Sequence, residues 1–167
     1  MVTIKDPVRA LIETAREFRG VRELGSNRGI VPDFANWWTG RDMSPYPQGL
    51  EGAPWCSTGL NLWGRLALGW AWPVPAGDPR YSDVDKMVAW AERLGILYEF
   101  PERGDLGCIQ SGIGWRHIYL VTDVHGDRVL TIEANTNNDG SFNGDGVYER
   151  SRPIAGSIFI RWIQLLS

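Results

Sequence analysis

The chain has 167 residues and a formal net charge of −3, so it is one domain with enough length to bury a core and no basic excess for general binding to nucleic acid or anionic membranes. Its two cysteines, Cys56 and Cys108, could pair but do not amount to a disulfide framework, and no stretch approaches a membrane span. Nine tryptophans are the compositional peculiarity, more than a core of this size asks for, and stacked aromatics also line grooves that bind sugars or extended chains.

In chain order, Met-Val-Thr-Ile-Lys-Asp-Pro lacks the basic-then-apolar pattern of a secretory signal. A chain acting outside the cell that makes it would then need another route of delivery. Asp6-Pro7 reads as an N-cap with proline at the first helical position. Val8, Leu11, Ile12, Ala15 and Phe18 follow at helical spacing, in a helix ending near Gly20 or Gly25. Residues 26–54 are rich in Gly, Pro, Asn and Asp and predict a long ordered loop with a short helix near residues 34–38.

A second helix starts at Cys56, just after the Gly52-Ala-Pro-Trp turn, and closes near Gly69. Two apolar rows run along it, Leu60/Trp63/Ala67 and Leu62/Leu66/Trp70, which predicts burial on most sides with Cys56 at the N-terminal mouth. The unpaired N–H groups and positive dipole end at such a mouth stabilise a thiolate. A third helix is capped by Ser82, with Asp85 in the capping-box position, core residues Val84, Met87, Val88, Ala91 and Leu94, and Gly95 as terminator. After Gly95 the period changes. Short β-rich runs lie at residues 107–110, 117–122, 128–133, 147–150 and 157–163, between turn residues. Helices first and strands second predict an α+β domain, with helices packed on an antiparallel sheet, as a single unit over 1–167.

The chain's two histidines fall at informative places. His117 opens one strand, and Glu133 and Asn135 close the next, with the turn signal Asp123-Val-His125-Gly126-Asp127 between them. A turn centred on His125, or on His125-Gly126, sets His117 opposite residue 133 or 134, within reach of Glu133, and alternation puts Asn135 on the same face. A carboxylate or amide could then hold the imidazole while its other nitrogen faces a thiol. The plain alternatives are a buried hydrophobic cysteine and a satisfied structural histidine. His125 reads as a solvated turn residue and Cys108 as core.

The tract Asn135-Thr-Asn-Asn-Asp-Gly140 begins like a calcium loop but has Gly146 where the bidentate Glu belongs, and no zinc ligand set or phosphate loop is present, so no metal or cofactor is expected. Trp55, Trp63 and Trp70 read mainly as packing residues. Trp37, Trp38 and Trp115, in polar or glycine-rich surroundings, are candidate substrate-groove residues, and Trp55 joins them as the neighbour of Cys56.

Four segments together carry a family resemblance. They are Gly52-Ala-Pro-Trp-Cys56, Arg103-Gly-Asp-Leu-Gly-Cys-Ile109, Trp115-Arg-His-Ile-Tyr-Leu-Val-Thr122 and Thr131-Ile-Glu-Ala-Asn-Thr-Asn137. With flanking pieces at residues 23–29 and 144–152, they resemble the CHAP domain, the cysteine, histidine-dependent amidohydrolases/peptidases, related to the NlpC-type and papain-like enzymes. The resemblance spans roughly residues 8–152. It implies a papain-like fold and a peptidoglycan hydrolase, such as a phage lysin or an interbacterial effector, the latter with a delivery or immunity partner. The cut would fall at the muramoyl–L-alanine amide or at a stem or cross-bridge peptide bond. By position Cys56 matches the nucleophile, His117 the general base and Glu133 the orienting residue, with Asn135 as polar partner or alternative orienter. Many members have Val-Gly after the histidine where this chain has Ile118-Tyr119, which suggests a different groove wall. The acidic loop of calcium-binding members has no match here. Rivals are a thiol amidase or peptidase on a soluble substrate, and a catalytically silent wall- or glycan-binding module that uses its tryptophans.

Overall fold

The computed structural model describes residues 4–32, 35, 54–74, 83–112, 114–137, 139 and 144–166. Over these the chain is α+β, as expected. Helices α1 (Pro7–Glu17), α2 (Cys56–Leu68) and α3 (Val84–Arg93) precede strands β1 (Leu97–Tyr98), β2 (Leu106–Ser111), β3 (Gly114–His125), β4 (Arg128–Thr136), β5 (Gly146–Pro153) and β6 (Ser157–Ile160). The strands form one six-stranded sheet in the order β1-β6-β2-β3-β4-β5, with every neighbouring pair antiparallel. Most of the 26–54 loop, including Trp37 and Trp38, lies outside the described residues; of the expected short helix only Ala35 is described, and it is helical, as are residues 30–32.

Helix α1 begins where its cap signal predicts: the Asp6 carboxylate accepts the Arg9 N–H at 2.8 Å, with proline at the first turn. Leu11, Ile12 and Ala15 are buried. Beyond the helix, the Gly20 N–H donates to the Val147 carbonyl and Arg22 bridges Gly146, so the chain runs back along β5 and covers that edge of the sheet.

In α2 the row through Leu60 and Trp63 is buried, but the second row fails beyond Leu62: Leu66 is 59% and Trp70 92% exposed. The cause lies just after the helix. A 3-10 turn at Gly69–Ala71 brings Trp72, rather than Trp70, back onto α2. There its Nε1 donates to Asn61 Oδ1 at 3.0 Å, and a Cβ on Gly64 would come within 2.2 Å of its ring. Trp70 instead lies against the Arg65 guanidinium, 4.6 Å away.

Helix α3 starts one residue later than its signal suggested. Its N-cap is Asp83, which accepts the Asp85 N–H at 3.0 Å, and Ser82 lies outside the described residues. This moves Asp85 off the capping-box position. Its Oδ1 accepts the Trp115 N–H at 2.6 Å and ties α3 to the start of β3. Gly95, at φ 68°, ends the helix with the paired Gly95-to-Glu92 and Ile96-to-Ala91 bonds of a Schellman motif. β1 follows at once and was not legible as a strand. The last strand stops at Ile160 instead of running to 163, because Trp162 turns inward as part of a 3-10 segment and its Nε1 donates to the Gly104 carbonyl at 2.7 Å.

The two faces of the sheet differ. On one, Leu106, Cys108, Ile118, Leu120, Ile132, Ala134 and Ile160 pack with the helices in the main core. On the other, Tyr119, Val121, Val129 and Phe159 form a smaller cluster. Alternation along β3 and β4 assigns His117, Thr131 and Glu133 to this second face.

Candidate functional site

Cys56 is the first residue of α2, and its N-cap, Trp55, supplies no side-chain cap, so the opening N–H groups of the helix surround the cysteine. The helix start is fixed from two sides. The Trp55 indole is fully buried and its Nε1 donates to Glu23 Oε2 at 3.2 Å. One turn on, Gly59 meets β4 so closely that an added Cβ would lie 2.8 Å from the Ala134 Cβ. Only glycine lets α2 sit this deep on the sheet.

There Cys56, His117 and Glu133 come together, as the spacing suggested. Cys56 lies beside His117, close enough to be among the groups that raise its pKa. His117 Nε2 lies 2.9 Å from Glu133 Oε2, and both side chains are fully buried. The register that achieves this is not the expected one. The turn is Gly126-Asp127, with His125 opposite Arg128 and Gly126 at φ 59°, as a type II′ turn requires of its first central residue. A bulge between Val121 and Asp123 then shifts the pairing to Leu120 opposite Ile132. The β3–β4 pairing ends there, so His117 and Glu133 meet beyond the last paired residues of the two strands.

Asn135 is buried, but it sits at φ 57° inside a second irregularity, between the Glu133–Tyr148 and Thr136–Gly146 pairs. Alternation therefore does not carry from Glu133 to Asn135, and Glu133 is the residue bonded to Nε2 of the imidazole.

The Glu133 carboxylate accepts four hydrogen bonds: His117 Nε2 (2.9 Å) and Arg152 Nη2 (2.6 Å) at Oε2, Arg152 Nε (2.9 Å) and the Thr131 hydroxyl (2.5 Å) at Oε1. Burial alone would raise its pKa. The Arg152 and His117 bonds overcome this and pull it down to about 2. Burial likewise works against a charged His117, yet the neighbouring Cys56 and Glu133 push its pKa up to about 9. The site thus favours a carboxylate beside an imidazolium. Arg152 and Thr131 were not expected. In the sequence Arg152 is one of two arginines near the end of a β-rich run, and only the pairing of β5 with β4 brings it to Glu133.

The aromatic candidates separate. Trp55 is a packing residue, since full burial leaves it no surface for a substrate. Trp115 is half-buried against the main core. Trp37 and Trp38 are outside the described residues. Tyr119 does not form a groove wall: it is buried, its hydroxyl donates to Ser157 Oγ at 3.1 Å, and its ring occupies the space left by Gly107. Cys108 is core, its thiol pushed well up, first by burial and then by the nearby Cys56, and both cysteines are free thiols. His125 is exposed beside Asp123. Among the described residues no cluster of three His, Cys, Asp or Glu side chains could hold a metal ion, and no helix is long and apolar enough to cross a membrane. No protein-family model, curated protein or solved structure matches the chain.

Proposed function

We propose that the protein is a cysteine-dependent amidohydrolase or peptidase of the papain-like, CHAP type. The observation that carries this is the buried Cys56–His117–Glu133 unit at a helix start, with the imidazole bonded to a carboxylate through Nε2 and lying beside the thiol. Its substrate would be peptidoglycan, cut at the muramoyl–L-alanine amide or at a stem or cross-bridge peptide bond. This narrower step rests on the four segments that resemble CHAP domains.

In this mechanism His117 accepts the Cys56 proton, giving a thiolate–imidazolium pair. With Nε2 engaged by Glu133, Nδ1 is the nitrogen that serves the thiol. The sulfur attacks the amide carbonyl to form a tetrahedral oxyanion. As this collapses, the C–N bond breaks, His117 gives its proton to the leaving amine, and a thioester remains on Cys56. Water, deprotonated by His117, then hydrolyses the thioester and regenerates the thiol. The Cys56 N–H at the start of α2 is a candidate oxyanion donor, and one such donor contributes about 3 kcal/mol to lowering the barrier.

The test is digestion of purified peptidoglycan by wild type and Cys56→Ala, with mass spectrometry of the released fragments. Fragments from wild type alone are the expected result. Free stem peptides identify an amidase, and shortened stems or opened bridges an endopeptidase. If neither protein cuts but both sediment with the wall, the protein is a wall-binding module; if neither cuts nor binds, peptidoglycan is not the substrate.

A further inference from the structure

We propose that Arg152 is a positioning residue of this site: its guanidinium fork fixes the Glu133 carboxylate in one orientation, with Oε2 aimed at His117 Nε2. The inference rests on the catalytic unit proposed above and adds a fourth member to it, from a different strand.

The geometry is that of a clamp. Arg152 reaches from β5 with Nε on Oε1 at 2.9 Å and Nη2 on Oε2 at 2.6 Å, the two-point contact that a planar guanidinium makes with a carboxylate. The same Nη2 lies 3.5 Å from Thr136 Oγ1, so the fork is itself braced by the end of β4. Thr131 holds the outer side of Oε1. With Oε1 anchored twice and Oε2 anchored once by arginine, the carboxylate cannot rotate about its terminal torsion, which is otherwise broad for glutamate. The direction left for the imidazole is the one His117 occupies.

The clamp also settles charge. The Arg152 side chain is 11% exposed and Glu133 fully buried, so the carboxylate needs the arginine to stay ionised and the guanidinium needs the carboxylate to offset its lost hydration. Without Arg152 the carboxylate would face burial with His117 as its main counter-charge and would take up a proton at a higher pH. A protonated Glu133 accepts poorly at Oε2 and no longer favours the imidazolium. The other groups facing this carboxylate do not replace the arginine. Tyr119, on the same face, is held neutral, with burial first among the causes that push it up to about 12. Arg150, in β5 opposite Thr131, spends its Nη1 on the Asn137 carbonyl. Cys56 meets the imidazole and not the carboxylate.

The experiment is the pH profile of alkylation of Cys56 by iodoacetamide, followed by mass spectrometry of the modified peptide, in wild type, Arg152→Gln and Arg152→Lys. It needs no knowledge of the substrate. Wild type should react over a broad plateau bounded by an acid limb, the mark of a thiolate paired with an imidazolium. In Arg152→Gln the acid limb should move up by about one pH unit or more, the range an arginine partner exerts on a carboxyl. Arg152→Lys, which keeps the charge but loses the fork, should shift less. A circular dichroism spectrum like wild type in each variant separates this from unfolding. If Arg152→Gln stays folded and its acid limb does not move, or if all rates fall equally at every pH, the positioning role is overturned. If wild type itself shows no plateau, reacting only as an ordinary thiol or not at all, the proposed catalytic unit fails instead.

Discussion

Among the described residues, two arginine forks hold buried carboxylates, and they do different things. Arg161 grips Asp105 at 3.3 and 3.1 Å, but it also bonds Glu102 at 2.8 Å and the Phe100 carbonyl at 3.1 Å and lies over the Tyr98 ring. Its charge is shared out. Burial therefore dominates at Asp105, whose pKa is raised despite the arginine. Arg152 grips Glu133 at 2.9 and 2.6 Å, and an imidazole adds a further donor, so that carboxyl moves the other way. The first fork fastens the turn before β2 to the end of β6. The second holds a carboxylate ionised beside a histidine that neighbours a thiol. The same pair of residue types is scaffold in one place and machinery in the other, and the difference lies in how many partners divide the arginine.

The largest effects should come from the thiol and the ring. Cys56→Ala and His117→Ala are expected to reduce turnover of peptidoglycan to background with the far-ultraviolet circular dichroism unchanged; residual turnover by a Cys56→Ala protein would make another residue the nucleophile. The forks can then be broken one at a time. Glu133→Ala strands the buried Arg152 guanidinium and should cost about 3–5 kcal/mol in urea unfolding, whereas Asp105→Ala leaves Arg161 its Glu102 and Phe100 partners and should cost less. Only Glu133→Ala should also lower turnover per folded molecule, and an equal loss from Asp105→Ala would erase the distinction.

A pH series sharpens the same contrast. Glu133 has a folded pKa below its ordinary 4.5, so the stability it contributes is full above that value and is lost as pH falls toward about 2. His117 has a folded pKa above its ordinary 6.5, so its contribution is full below that value and is lost as pH rises through about 9. Unfolding free energy measured against pH should therefore show both losses in wild type, and His117→Ala should lack the alkaline one. Asp105, raised by burial, should work in the opposite sense to Glu133 at acid pH.

Smaller effects concern placement. Gly59→Ala drives a methyl into Ala134 and should cost about 1–3 kcal/mol while lowering turnover, because α2 carries Cys56 away from His117 as it yields. Cys108→Ala should cost only about 1 kcal/mol and leave turnover intact, as a core substitution would.

Much of the frame was written locally. Asp6-Pro7 and Gly95 mark helix ends through backbone chemistry that needs no tertiary partner, and the change from helical to alternating period fixes the α+β order. The meeting of Cys56, His117 and Glu133 was legible because a short hairpin ties two of them together. What could not be read depends on register and on distant contacts. The bulge at Val121–Asp123 leaves no mark in residue type, so the register by which His117 and Glu133 meet could not be derived. Arg152 reaches Glu133 from the next strand, across a connection whose length does not fix the pairing. Trp70 and Trp72 share a residue type and nearly a position, and only the 3-10 turn between them decides which one packs.

The coupling of Cys56 to His117 can be measured most directly by nuclear magnetic resonance titration of the imidazole rings, of which the chain has two, in wild type and Cys56→Ala. Cys56 is among the groups that raise the His117 value, so its ring should titrate near pH 9 in wild type and at clearly lower pH once the thiol is gone. An identical His117 titration in both proteins would mean that thiol and imidazole do not act as a unit, and would contradict the account.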